Sequence, residues 1–433
     1  MTGCDGSAVV RSIRLWGCRG KAVNGNNVLF VFACVIALLT PALTHSDNLD
    51  TKLARSLESK NEAIRLQTLA ALRSDPDRIS AVLEQLIRVA KAEADNTAAK
   101  EIARPSMVEL LSVIGATKRP ESEQLLVELL KTPHAGIAMV AAEILGRHKL
   151  TGSIKPLTRQ IYRPEYQMSY GFRFNLIRAL AEMKHPDAIE FLDQLRPQLD
   201  GQLRFEVDKL LDAVTKFDFQ GDSDRYDRWC QARESKIVLV SGETESQARE
   251  RMVLGRAQQY YGIDIRAKRL MFIIDHSGSM KEVDRGVSRL FRAKAELIRA
   301  ITQLPEDAEF GILFYASLVN RWRSELMIAT EQNKREAISF VERLGFGGQT
   351  NTYGALRDSL EFDSSLEAVF LLTDGQPTTG EVVAPHAIVN DIIHRNRFRH
   401  LHFNTIGIAV DGSTERFLKT LAESSGGEFR KPQ

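Results

Sequence analysis

The hydrophobic period of this chain changes near residue 216, and that change fixes the architecture. Upstream, apolar residues recur every three or four positions, as in Ile64, Leu66, Leu69 and Leu72 and again in Ile79, Val82, Leu83 and Leu86. That spacing lines one face of a helix. Downstream, short unbroken apolar runs alternate with helical stretches, starting with Leu270-Met271-Phe272-Ile273-Ile274. Such runs are strands buried on both faces, and strands alternating with helices build a doubly wound, mostly parallel sheet. The expected fold class is therefore multidomain: an all-α helical-repeat solenoid over 47–215, a connector over 216–267, and an α/β doubly wound, Rossmann-like domain over 268–433. The length of 433 residues agrees, since about 100–200 residues per domain is usual.

The helical half repeats itself. Leu72-Arg73-Ser74-Asp75-Pro76, Ile114-Gly115-Ala116, Leu145-Gly146-Arg147-His148 and Leu180-Ala181-Glu182-Met183 each close one helix, at spacings of 42, 31 and 35 residues. A second apolar helix is expected after each, over 79–89, 122–130, 154–161 and 187–195. The segments IRALAEMKHPDAIEFLDQL (177–195) and VAAEILGRHKLTGSIKPLTRQI (140–161) resemble HEAT-type or armadillo-like repeats. The resemblance implies helix pairs stacked into a curved array with one concave face, because a single pair cannot bury its own apolar stripe. His134, His148 and His185 fall at or near turns with no ligand partner at metal-binding spacing, so structural roles are expected for them. In the connector, residues 226–231 read as a short amphipathic helix, 236–241 as a strand and 258–265 as another. Trp229, Tyr260 and Tyr261 are expected to pack the surface between the domains.

After the first apolar strand, 269–274, the pattern predicts a helix at 290–301, strands at 309–316 and 318–327, and helices at 334–344 and 353–360. A strand at 368–372, a helix at 386–396, a strand at 402–410, a helix at 414–424 and a last short strand at 428–430 follow. Ligands of such sheets sit at the carboxyl ends of the strands. Two strand ends carry chemistry: Asp275-His276-Ser277-Gly278-Ser279-Met280, and Thr373-Asp374-Gly375-Gln376-Pro377. Between them lies the loop Gly347-Gly348-Gln349-Thr350-Asn351-Thr352. Carboxylates and hydroxyls are hard oxygen donors, which suit Mg²⁺, Mn²⁺ or Ca²⁺ and not Zn²⁺ or copper.

This constellation resembles the metal-ion-dependent adhesion site of the von Willebrand factor type A domain family, over the whole of 268–433. Asp275, Ser277 and Ser279 match its first motif, Thr350 its middle threonine and Asp374 its second aspartate. His276 occupies the variable position, and Gln349 is an insertion that leaves Thr352 as the alternative to Thr350. The resemblance implies that Ser277, Ser279 and Thr350 bind Mg²⁺ (or Mn²⁺/Ca²⁺) directly, while Asp275 and Asp374 act mainly through bound waters. It also implies an open coordination position, filled by an Asp or Glu carboxylate of a protein partner. Glu282 and Asp284 read as a solvated acidic turn. The function expected is divalent-metal-dependent protein binding, in adhesion or scaffolding. The alternative is a non-catalytic accessory subunit that assembles or regulates an enzyme complex. The pairing of repeats with this domain resembles uncharacterised exported proteins of bacteria.

No G-x-x-x-x-G-K-[ST], H-E-x-x-H or G-x-S-x-G motif is present, so the chain is not expected to be an enzyme. The remaining route to catalysis is His276 acting as a base on metal-bound water. Residues 28–39 (VLFVFACVIALL) form an unbroken apolar run of 12 behind Arg11, Arg14, Arg19 and Lys21. This is a secretory signal pattern, too short for the ~20 residues a spanning helix needs. Cleavage after Thr44 or Ser46 is expected, and with it an extracytoplasmic location; membrane contact is expected only through an uncleaved N-terminal segment. Residues 1–46 carry +3 of the net +2, leaving −1 for the remainder. Phosphate-backbone binding needs clustered cations, so no nucleic-acid partner is expected. Beyond the signal segment only Cys230 remains, expected as a buried structural thiol.

Overall fold

The computed structural model describes residues 46–97, 103–234, 258–284 and 286–432. The expected signal segment and the expected strand at 236–241 lie outside the described residues. Residues 53–433 form one compact unit, so the helical array and the α/β domain are parts of a single body. No helix among the described residues is long and apolar enough to cross a membrane.

The array is built from successive helix pairs: Glu62–Arg73 with Pro76–Asn96, Pro105–Ala116 with Pro120–Leu129, Ala135–Arg147 with the short Ile154–Thr158, Tyr170–Glu182 with Pro186–Leu195. Its helices start where the sequence offers a cap or a proline. Asn61, Asp75 and Ser169 accept backbone N–H groups of the first turn, and Pro76, Pro105, Pro120, Pro164 and Pro186 take first-turn positions that need no amide donor. His134 and His185 are caps of the same kind, accepting from Ile137 N–H and Asp187 N–H through Nδ1. A lysine just beyond the helix end, Lys118, Lys149 or Lys184, turns the chain in the left-handed conformation at three of the repeats.

First helices of consecutive pairs pack on one another. Gly115 and Gly146 permit this: a Cβ on Gly115 would stand 2.3 Å from the Ile144 side chain, and one on Gly146 2.5 Å from the Ala179 carbonyl. One helix faces differently from the sequence reading. Ile64 is exposed, while Arg65 is buried in an ion pair with Glu93, because pairing lets a cation occupy an interior position. The helix Ser223–Glu234 also belongs to the array. Trp229 and Tyr226 pack against buried Phe219, and Arg225 pairs with Glu190. Cys230, on this helix, is only partly buried.

The α/β domain has a seven-stranded sheet ordered Phe429–Arg430, His402–Gly407, Ala368–Thr373, Arg269–Asp275, Glu309–Tyr315, Val319–Arg321, with Met327–Ile328 also on Glu309–Tyr315. The first five are parallel and the last two antiparallel. The expected long strand at 318–327 is thus two short edge strands. Side chains alternate between two cores. Leu270, Phe272 and Ile274 face the helices Arg289–Gln303 and Glu331–Glu342; Met271 and Ile273 face Thr352–Phe362, Pro385–Asn396 and Gly412–Ser425. Tyr260 packs edge-on against Phe272 and Phe370 inside the first core, and Tyr261 lies against the Arg289–Gln303 helix. This corrects the expectation that Trp229, Tyr260 and Tyr261 fill the space between domains: each ring finds an apolar neighbour within its own domain.

Other residues join the domains, at the amino-terminal ends of the strands. A Cβ on Gly171 would stand 2.1 Å from the Phe398 carbonyl. The Asn175 side chain donates to that same carbonyl at 3.2 Å and meets His400 Nε2 at 3.1 Å, with Phe174 stacked on His400. Glu367, buried at the start of its strand, accepts from Gln202 N–H at 2.9 Å and Lys268 N–H at 3.2 Å. It thereby caps the array helix Gly201–Asp212 from the opposite domain. Burial pushes its carboxyl up to about 7. The array therefore covers the base of the sheet and leaves the carboxyl ends of the strands free.

Candidate metal centre

The strand Arg269–Asp275 ends in register with Tyr315 on one neighbour and beside Thr373 on the other. Asp275 is the last residue of a strand buried from Leu270 onward, so its carboxylate enters the site from below. One carboxylate oxygen accepts Ser277 N–H at 2.8 Å, and the other accepts the Thr373 hydroxyl at 2.6 Å. Burial raises its pKa to about 6 against the lowering effect of these hydrogen bonds. Tyr315 lies beneath, its phenol pushed up by burial and by the Asp275 carboxylate.

Ser277 and Ser279 flank the tight turn that follows. Their hydroxyls are 3.2 Å apart, and Ser279 Oγ donates to Asp374 Oδ1 at 2.7 Å. Four of the five expected residues are thus linked in one hydrogen-bonded series, Asp275 to Ser277 through the Ser277 N–H, and Ser277, Ser279 and Asp374 through their side-chain oxygens. Thr350 is buried on the adjoining loop. That loop is held to the first motif by Gly278 N–H on the Gly348 carbonyl at 2.8 Å, and to the Asp374 loop by Thr350 N–H on Thr378 Oγ1 at 2.9 Å. Gly347 sits so close that a Cβ would fall 2.3 Å from that of Ala316, the close approach that glycine allows. Thr352 lies deeper, in the first turn of the Thr352–Phe362 helix, fully buried.

Three contacts of the site were not assigned from the sequence. Thr373 holds Asp275, Thr378 holds Thr350, and Arg289 donates to Asp374 Oδ2 at 2.9 Å while also pairing with Glu282 at 2.6 Å. Thr373 and Thr378 stand next to a motif residue and could have been flagged for their hydroxyls. Arg289 is ten positions beyond Ser279, and nothing in the linear sequence marks it. Glu282 is exposed, as expected for a solvated turn, but it is engaged by Arg289. The His276 ring points out of the oxygen cluster, with Nδ1 2.8 Å from the Gly345 carbonyl and the ring beside Phe314. It is not poised over the site as a base would be.

The sequence pattern of the von Willebrand factor type A domain matches residues 268–430, the span of this sheet and its motifs. Residues 268–430 are a von Willebrand factor type A domain. Among curated relatives, human von Willebrand factor A domain-containing protein 3B is 31% identical over 162 residues, 37% of this chain and 11% of that protein. Mouse inter alpha-trypsin inhibitor, heavy chain 4 is 27% identical over 176 residues, 38% of this chain and 18% of that protein. The chain therefore spans under a fifth of either relative. Among solved structures, a von Willebrand factor type A protein from Catenulispora acidiphila is similar over 38% of each chain, at 22% identity and a TM-score of 0.33.

The donor set of this type A domain fits a hard divalent cation. Every donor is oxygen, and the Ser277 and Ser279 hydroxyls already converge.

Proposed function

We propose that this protein binds a protein partner through a divalent cation held at the carboxyl ends of the type A domain strands, outside the cytoplasm. The convergence of Asp275, Ser277, Ser279 and Asp374 into one hydrogen-bonded oxygen cluster carries the reading. Ser277, Ser279 and Thr350 would hold the ion, with Asp275 and Asp374 supporting it. Once bound, Mg²⁺ (or Mn²⁺/Ca²⁺) supplies a Lewis-acidic position that an Asp or Glu of the partner can fill. The chain's own contribution is positional. Thr373 fixes the Asp275 carboxylate, the Gly278–Gly348 contact fixes the distance between two loops, and the array braces the opposite end of the sheet. The stacked helix pairs, similar in sequence to HEAT-type repeats, offer a second contact surface.

Calorimetric titration of the purified protein with Mg²⁺ and Mn²⁺ tests the proposal. Saturable binding is expected in the wild type and not in Asp275→Ala or Ser277→Ala, with circular dichroism confirming that both variants fold. Unchanged Mg²⁺ affinity in both would refute it.

A further inference from the structure

The exposed large apolar side chains of the type A domain are concentrated at one end. Among the described residues Val283, Val287, Phe291, Leu318, Phe346 and Val383 all lie at the carboxyl end of the sheet. Ile328, the remaining one, sits at the opposite end beside Glu309. Scattered exposed apolar residues are ordinary on a protein surface, but a group of them around one site marks an interaction face.

These residues are tied to the oxygen cluster. Phe346 precedes Gly347, whose N–H bonds the His276 carbonyl. Leu318, 73% exposed, follows Ser317, whose Oγ accepts Gln349 N–H. Val283 follows Glu282, the partner of Arg289, and Phe291 lies two residues beyond Arg289. The charge pattern favours an anion at the centre of this rim. The rim carboxylates Glu282 and Glu381 are each ion-paired, with Arg289 and Arg357, and the Lys281 ammonium stands 5.5 Å over the Phe346 ring.

We infer that the partner is a protein segment that carries its Asp or Glu between large apolar side chains, the carboxylate seated at the cation and the flanking side chains on Leu318 and Phe346. This rests on the metal-dependent reading above and adds the class of partner. A plain acidic surface would leave the apolar rim wet, and a basic partner would find no matching charge.

The test is selection from a random heptapeptide display library on the full-length protein in millimolar Mg²⁺. Acid-centred peptides with Leu, Ile, Val or Phe within two positions are expected. A selected peptide is expected to bind the double variant Leu318→Ser, Phe346→Ser about tenfold or more weakly, since each site loses roughly half a buried side chain, while Mg²⁺ affinity by calorimetry stays unchanged. Acid-centred peptides with no apolar preference, or equal binding to the double variant, would overturn the inference and leave the metal reading standing. Peptides lacking an acid, or binding equally in EDTA, would overturn both, and an empty selection would count against the inference.

Discussion

Arg289 makes the metal reading testable in an unusual direction: removing a cation from the site is expected to tighten metal binding. Asp374 is fully buried at its side chain and Arg289 is 15% exposed, with the guanidinium 2.9 Å from Oδ2. Removing one partner of a fully buried ion pair costs about 3–5 kcal/mol. Asp374 still accepts the Ser279 hydroxyl in the variant, and Arg289 is not completely dry, so about 2–3 kcal/mol is the expected cost to the metal-free form. A bound divalent cation supplies the missing counter-charge, so the bound form of Arg289→Gln loses less, about 1 kcal/mol. By linkage the difference of about 1–2 kcal/mol passes into affinity, and Mg²⁺ is expected to bind roughly 5- to 30-fold more tightly. Arg289→Lys keeps the charge and is expected to stay close to wild type. Calorimetric titration of the three proteins, with circular dichroism as a check of folding, measures this. Equal or weaker Mg²⁺ affinity in folded Arg289→Gln would refute the competition between guanidinium and cation for Asp374.

Two further outcomes are expected. Glu367 titrates near 7 in the folded chain against an ordinary 4.5. A raised acid pKa contributes stability below 4.5 that is lost as pH rises through 7, to a total of about 3 kcal/mol. The stability of Glu367→Gln relative to wild type should therefore improve between pH 5 and pH 8 in urea unfolding; a constant difference would exclude Glu367 as the titrating group. Export is expected to remove the N-terminal segment, so N-terminal sequencing of the protein from cells should begin at His45 or Asp47. An intact N-terminus on cytoplasmic protein would contradict the extracytoplasmic reading.

Much of the fold was legible because burial leaves a local signature. The strand Ala368–Thr373 is apolar from end to end and buried at every position, and the Arg289–Gln303 helix buries Leu290, Ala293, Leu297 and Ala300 at helical spacing. Residues that must turn at strand ends were equally visible, which is why the Asp275 and Asp374 loops could be read as one site 99 positions apart. Ile64 and Arg65 show where periodicity misleads: the position beside the apolar stripe is buried because Glu93, on the next helix, neutralises it.

The sequence by itself determined the helical array, the order of most strands and helices after it, and the strand ends at which Asp275 and Asp374 stand, since each rests on side-chain type at fixed spacing. The tertiary structure alone decided that Arg289 pairs with Asp374, that His276 turns away from the cluster onto Gly345, and that Glu367 caps a helix of the other domain. Those contacts join residues brought together by the sheet order and the packing of the array on its base. No periodicity encodes them, because their energies depend on burial and on which backbone donors lack a partner after the elements have packed.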